Sequence, residues 1–190
     1  MCSKTILENE LIDIHNTLHT VVDDLTTNEW ITRPEPGQNI ISFTVWHLPR
    51  IQDNIIQTWV RGIPELVHGE RWEDWHQFRF FGSGVGITSQ EADEIASRVQ
   101  KTDVLAYADQ VQQEILTWLQ GLSDDDLEMI PDSKKYLSSY PEYQTPGYHQ
   151  EADGLLDQPV RVLLMQPCIE HLDQHLAELM LAKEILRVGK

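Results

Sequence analysis

Two cysteines among 190 residues cannot frame a disulfide scaffold, and that scarcity fits a reducing compartment. Basic residues are few as well. Fourteen lysines and arginines stand against thirty-one acidic residues, a formal net charge of -17, so a nucleic-acid backbone or an anionic membrane would repel the chain. No apolar stretch is long enough to span a bilayer, and the opening MCSKTILENELIDIH lacks the uninterrupted hydrophobic run of a secretion signal. These absences predict a cytoplasmic protein that engages neither nucleic acid nor membrane and acts on a small molecule. What remains is an ordinary globular balance, 41% apolar and 24% charged, and a length that suits one domain over residues 1–190.

Periodicity is helical almost wherever it is clear. Leu7, Leu11, Ile14, Leu18, Val21 and Leu25 recur at steps of four and three, which builds one apolar seam on a first helix. Beyond the turn-forming RPEPGQN, Leu48, Ile51, Ile55 and Trp59 predict a second helix that starts near Ser42 as N-cap and stops at Gly62 and Pro64. From Arg71, RWEDWHQFRFFGSGVGI sets Trp72, Trp75, Phe78, Phe80 and Phe81 ahead of Gly82, Gly84 and Gly86 and reads as an irregular loop. Thr88 with Glu91 forms a capping box that opens a short helix. A third long helix runs from near Thr102 to Gly121 on Val104, Ala108, Val111, Ile115 and Trp118, with Ser123 ready to cap the next turn. From about Met129 to Leu156, five prolines and glycines punctuate a tyrosine-rich connection expected to wrap the body. The last helix is predicted from a cap at Asp157 to about Arg187. Four such helices predict an all-α four-helix bundle, with long connections between helices 2 and 3 and between helices 3 and 4 that permit crossovers.

Inside the last helix, PCIEHLDQHLAEL places two histidines where the apolar stripe should continue. With His171 at zero, Leu164 falls at about 20°, His175 at about 40°, Cys168 at about 60° and Leu179 at about 80°, while Glu170 and Asp173 point away. Histidines four residues apart on an inward face bring two imidazoles to a common point, where one metal ion can bridge them. In SFTVWHLPRIQDN of the second helix, His47 shares the face of Ile51, whereas Asp53 does not, and no carboxylate reads convincingly as inward. His47, His171 and His175 together offer three nitrogen ligands, a set that suits zinc or nickel and leaves coordination positions open. Pro49 and Pro167 each remove a backbone hydrogen bond, at about 3 kcal/mol in an ordinary helix interior, and predict kinks near these ligands. His15 and His19 repeat the spacing but flank the first helix's seam, so they read as half-exposed. Cys168 is open to three readings: a fourth ligand, a reactive thiol or a small core residue. Trp46, Arg50, Asn54, Cys168, Trp72 and Trp75 are the candidates for substrate contact, and the aromatic segment is either a cover for the site or a plug at the bundle's end.

The order of a first amphipathic helix, a PEPG-type connection, a second helix opening with WHL and a last helix bearing H-x3-H resembles the DinB/YfiT-like family of metalloenzymes, from roughly Ile6 to Leu186. The resemblance implies a four-helix bundle in which His47, His171 and His175 hold a divalent metal. Relatives include mycothiol-dependent maleylpyruvate isomerase and bacillithiol S-transferases, so it also implies a thiol-dependent S-transferase or isomerase with a low-molecular-weight thiol as cosubstrate. Homodimers are frequent in the family. This chain departs from the common pattern at Arg50, where many relatives carry a further histidine, and at His171, where some carry glutamate. The rival expectations are a noncatalytic metal-binding stress-response protein with Cys168 closing the coordination sphere, a metal-dependent hydrolase on the same ligands, and a metal-free interaction module.

Overall fold

The leucine seam of the first segment winds into a helix over Ser3–Asp23, with Leu7, Leu11, Ile14, Leu18 and Val21 buried along one side. The computed structural model describes residues 3–78 and 82–188, so Cys2, Phe80 and Phe81 lie outside the described residues. The second helix occupies Ile41–Asp53 and passes without a break into a π-helical stretch, Asn54–Arg61, that ends at Gly62 in the left-handed conformation. The third helix is Lys101–Gln120. The last begins as Val160–Met165, widens into a π turn over Gln166–Glu170, and continues as His171–Val188. Among the described residues there is no strand. No helix there is long and apolar enough to cross a membrane.

The first helix packs against the third and the last, and the second packs against the same two. Going round the bundle the order is therefore first, third, second, last, with the first and second helices on one diagonal. Sequential helices are not all neighbours, and the connections cross the ends of the bundle, as their length permits. One apolar core runs through all four and takes in Trp30, Trp46, Trp59, Trp72 and Trp75.

Two boundaries differ from the sequence reading. Ser42 is not a cap: the second helix starts after Ile40, and the buried Ser42 hydroxyl donates to the Ala96 carbonyl at 3.0 Å, tying the helix to its neighbour Ser89–Ala96. Asp157 does not cap the last helix either. That helix starts after Pro159, whose ring presets the entry angle, and the exposed Asp157 pairs with Lys134 at 2.6 Å. The capping boxes at Thr88 and Ser123 both form. The connection from Met129 to Leu156 holds short helical turns, Ser133–Leu137, Pro141–Tyr143 and Pro146–Ala152, whose Tyr143 and Tyr148 plunge into the core.

The aromatic segment is also more regular than a loop. It forms 3-10 turns over Leu66–His68 and Glu70–Gln77. Trp72 and Trp75 each pack edge-on to Tyr107 with ring centroids 5.1 Å away, and the Trp72 indole donates to Gln110. The driving force is aromatic burial, which outweighs the disorder that three glycines downstream would favour.

Candidate metal centre

The second and last helices are neighbours, and each presents histidine to the groove between them. His47, His171 and His175 have ligand nitrogens that all lie within 4.8 Å of one another. Ring centroids are 5.8 Å apart for His47 and His171, 5.4 Å for His47 and His175, and 4.5 Å for His171 and His175. Three nitrogens around one tetrahedral ion, each at about 2.0–2.1 Å from it, would stand about 3.4 Å apart, so small side-chain rotations close the set. His47 is buried, while His171 and His175 are partly buried.

Backbone and carboxylate groups set the orientation of two of the rings. His47 Nδ1 is 2.6 Å from the Ser83 carbonyl oxygen. A carbonyl only accepts, so Nδ1 carries the proton and Nε2 keeps its lone pair for a metal. His175 Nδ1 lies 2.7 Å from Glu178 Oε2, which does the same for that ring. Phe43 stacks on His47 with an interplanar angle of 16°. Gly84 completes the seat: at φ +91°, its missing Cβ would stand 2.9 Å from His47 Nδ1 and 3.2 Å from the Phe43 ring. Burial, then repulsion from His175, pushes the His47 imidazole down to about 3, so the ring is neutral at neutral pH. Burial and His175 lower His171 as well.

The irregularity expected at the prolines takes a specific form. Around Pro167 the last helix adopts the π turn Gln166–Glu170, one turn before the first histidine of the pair. Pro49 stays inside the α-helix, and the π geometry of the second helix begins at Asn54. Both wide turns line a cavity of about 360 Å³, with Asn54, Ile55 and Trp59 from one and Gln166 and Pro167 from the other. His47 and His171 form part of its wall, and Val85, Tyr148 and Glu151 come from the connections. A π bulge at a functional groove is a recurring device, because it turns side chains out of the regular helical register.

Of the candidates for substrate contact, Asn54 lines this cavity. Trp46, Arg50, Cys168, Trp72 and Trp75 are all buried in the packed core and are not part of the cavity wall. Burial pushes the Cys168 thiol up, which disfavours the thiolate a metal would need, and its sulfur is not among the converging ligand atoms.

Arg50 instead anchors a buried polar network that sequence reasoning missed. Its guanidinium lies 2.8 Å from Glu65 Oε2 and donates to the Tyr107 hydroxyl at 3.0 Å. Asp53, off the helix's apolar seam by periodicity, is nonetheless fully buried and accepts from the Leu66 and Val67 backbone amides at 3.0 and 3.2 Å and from Tyr107. Burial, then the neighbouring Glu65, raises the Asp53 pKa. Glu65 also accepts from Asn54, Thr58 and Tyr143 at 3.0, 3.0 and 2.9 Å. Asn54 accepts from the Tyr148 hydroxyl at 2.7 Å, and that hydroxyl accepts from the Trp59 indole at 2.8 Å. The network thus runs from the core to three residues of the cavity wall. A lone acidic residue in a connection, such as Glu65, gives no periodic signal that it will be buried.

The remaining histidine pair sits elsewhere. His15 and His19 are partly buried on the first helix and both face Asp109 of the third. The donor chemistry of the interior set fits a divalent transition metal: three neutral nitrogens, two of them held by acceptors on their far side. No curated protein gives a significant match to the chain. Residues 10–179 match the DinB superfamily, and with the bundle, the WHL histidine and the last-helix pair in place, the chain belongs to that superfamily.

Proposed function

We propose that the protein is a divalent-metal-dependent enzyme that transfers or rearranges groups on a small thiol, with His47, His171 and His175 holding the ion. The observation that carries this reading is the convergence of three imidazoles from two helices, two of which, His47 and His171, form part of the wall of a 360 Å³ cavity. A zinc or nickel ion held there would supply Lewis acidity at open positions, enough to keep a thiol as thiolate near neutral pH. The chain's own residues do the rest. The Ser83 carbonyl and Glu178 keep two imidazoles in the tautomer that binds. Ile51, Ile55, Ala152 and Leu155 give the cavity an apolar side that excludes water and accepts an apolar electrophile. Asn54 and Tyr148 are fixed in the wall by their hydrogen bond to each other, which holds the shape of the cavity.

Three histidines with no fourth side-chain ligand among the described residues favour catalysis over a structural staple, because structural zinc sites are usually closed by four side chains. A hydrolytic reading on the same ligands draws support from one observation, that Glu151 is among the residues lining the cavity and brings a carboxylate, the group type of a general base. The test is turnover of metal-reconstituted protein with low-molecular-weight thiols and a chromogenic electrophile. Thiol-dependent turnover that is lost in His47→Ala and kept in Glu151→Gln supports the transferase. Thiol-independent hydrolysis lost in both supports the alternative. Equal turnover in wild type and His47→Ala removes the catalytic proposal.

A further inference from the structure

The bundle carries a second histidine pair at the spacing used in the interior, and it too meets a ligand from a neighbouring helix. His15 and His19 lie one turn apart on the first helix, with ring centroids 4.7 Å apart. Both aim Nε2 at the same atom: Asp109 Oδ1 of the third helix is 3.1 Å from His15 Nε2 and 2.8 Å from His19 Nε2. The three ligand atoms lie within 4.8 Å of one another, the same tolerance met by the interior set.

We infer that His15, His19 and Asp109 form a second divalent-metal site, which clips the first helix to the third across the groove opposite the one that holds the interior histidines. The inference is independent of the proposed activity. Its chemistry follows from the donors. Two imidazoles and one carboxylate leave half of an octahedral sphere open, the 2-His-1-carboxylate pattern that accepts zinc or iron(II). Geometry supports occupancy by one small ion. Two nitrogens already crowd one carboxylate oxygen, so an ion entering between them replaces two hydrogen bonds to a shared acceptor with three direct ligands. A chain of net charge -17 raises the local concentration of divalent cations around such a site.

Its setting is solvent-accessible, which separates it in behaviour from the interior centre. Side-chain exposure is 20% for His15, 38% for His19 and 57% for Asp109, against 6% for the whole of His47. Substitutions there leave the core intact, so binding can be removed without unfolding the chain.

Calorimetric titration of tag-free, chelator-stripped full chain with zinc chloride tests the inference. Wild type should take up two equivalents. His19→Ala and Asp109→Asn should each take up one, and His171→Ala should keep the one that adding His19→Ala removes. The same zinc should raise the melting temperature of His171→Ala protein and leave the double variant unmoved. If His171→Ala fails to fold, the decision rests on wild type against the two surface variants. Uptake that is unchanged by His19→Ala and Asp109→Asn overturns the second site and leaves the interior one standing. A single equivalent lost in His19→Ala but kept in His171→Ala does the reverse.

Discussion

The Ser83 carbonyl oxygen lies 2.6 Å from Nδ1 of His47, and this contact decides which nitrogen of the ring is available for a metal. The carbonyl reaches the ring because its neighbour Gly84 has no side chain. Gly84→Ala places a Cβ 2.9 Å from His47 Nδ1 at a backbone φ of +91°. The expected result is a loss of about 1–3 kcal/mol in stability from the strained backbone. Metal affinity should fall with it by about tenfold or more, the cost of disturbing a ligand's orienting partner. Urea denaturation and a metal titration check the two parts separately.

Glu178 plays the matching role for His175, at 2.7 Å. Because the carboxylate is exposed, Glu178→Gln should leave the fold's stability unchanged within about 0.5 kcal/mol. It should nonetheless weaken metal binding by about tenfold, the lower end for such partners. Competition with a chromophoric chelator reads the difference.

Arg50 is the counter-charge of the buried network, where Glu65 at 2.8 Å and Asp53 at 3.4 Å depend on it. Arg50→Met should cost about 3–5 kcal/mol, since it strands buried carboxylates without a counter-charge. A triple variant that also carries Glu65→Gln and Asp53→Asn should recover part of that loss. Chemical denaturation at fixed pH measures both, and a triple variant no better than the single one would count against charge as the cause.

Acid should weaken the metal-free protein through His47. Its folded pKa of about 3 lies below the ordinary 6.5, so below that value the unfolded chain binds a proton that the folded chain refuses. The His47 contribution is therefore complete above pH 6.5 and declines as pH falls towards 3. The steepest loss is about 1.4 kcal/mol per pH unit for one proton. Asp53 acts with the opposite sign, because its raised carboxyl takes up a proton more readily folded than unfolded. The informative quantity is thus the stability of wild type minus that of His47→Gln, measured in chelator at pH 7 and pH 5. It should shrink as pH falls.

The helices and the last-helix histidine pair were legible because both rest on local periodicity. Leu7 to Leu25 announces a buried seam, and His171 with His175 stands out against the same kind of stripe. The WHL histidine is less visible, and its place opposite the pair emerges only when the second and last helices pack together. What periodicity could not show were features fixed by tertiary contact. Ser42 looked like a cap and is a buried donor to Ala96. Asp53, off the face of Ile51 by periodicity, and Glu65, in a connection without a period, are buried on Arg50 and tyrosine hydroxyls. The helical wheel set Cys168 on the ligand face by assuming 3.6 residues per turn, but the π turn Gln166–Glu170 breaks that register before His171.

X-ray absorption at the zinc edge reads the interior site most directly, using His19→Ala protein so that the surface pair contributes nothing, loaded with one equivalent of zinc. The expected spectrum shows three imidazole nitrogens at about 2.0–2.1 Å with their ring scattering, plus one light-atom ligand from outside the protein. A shell without imidazole scattering, or one containing sulfur at about 2.3 Å from Cys168, would contradict an open three-histidine centre.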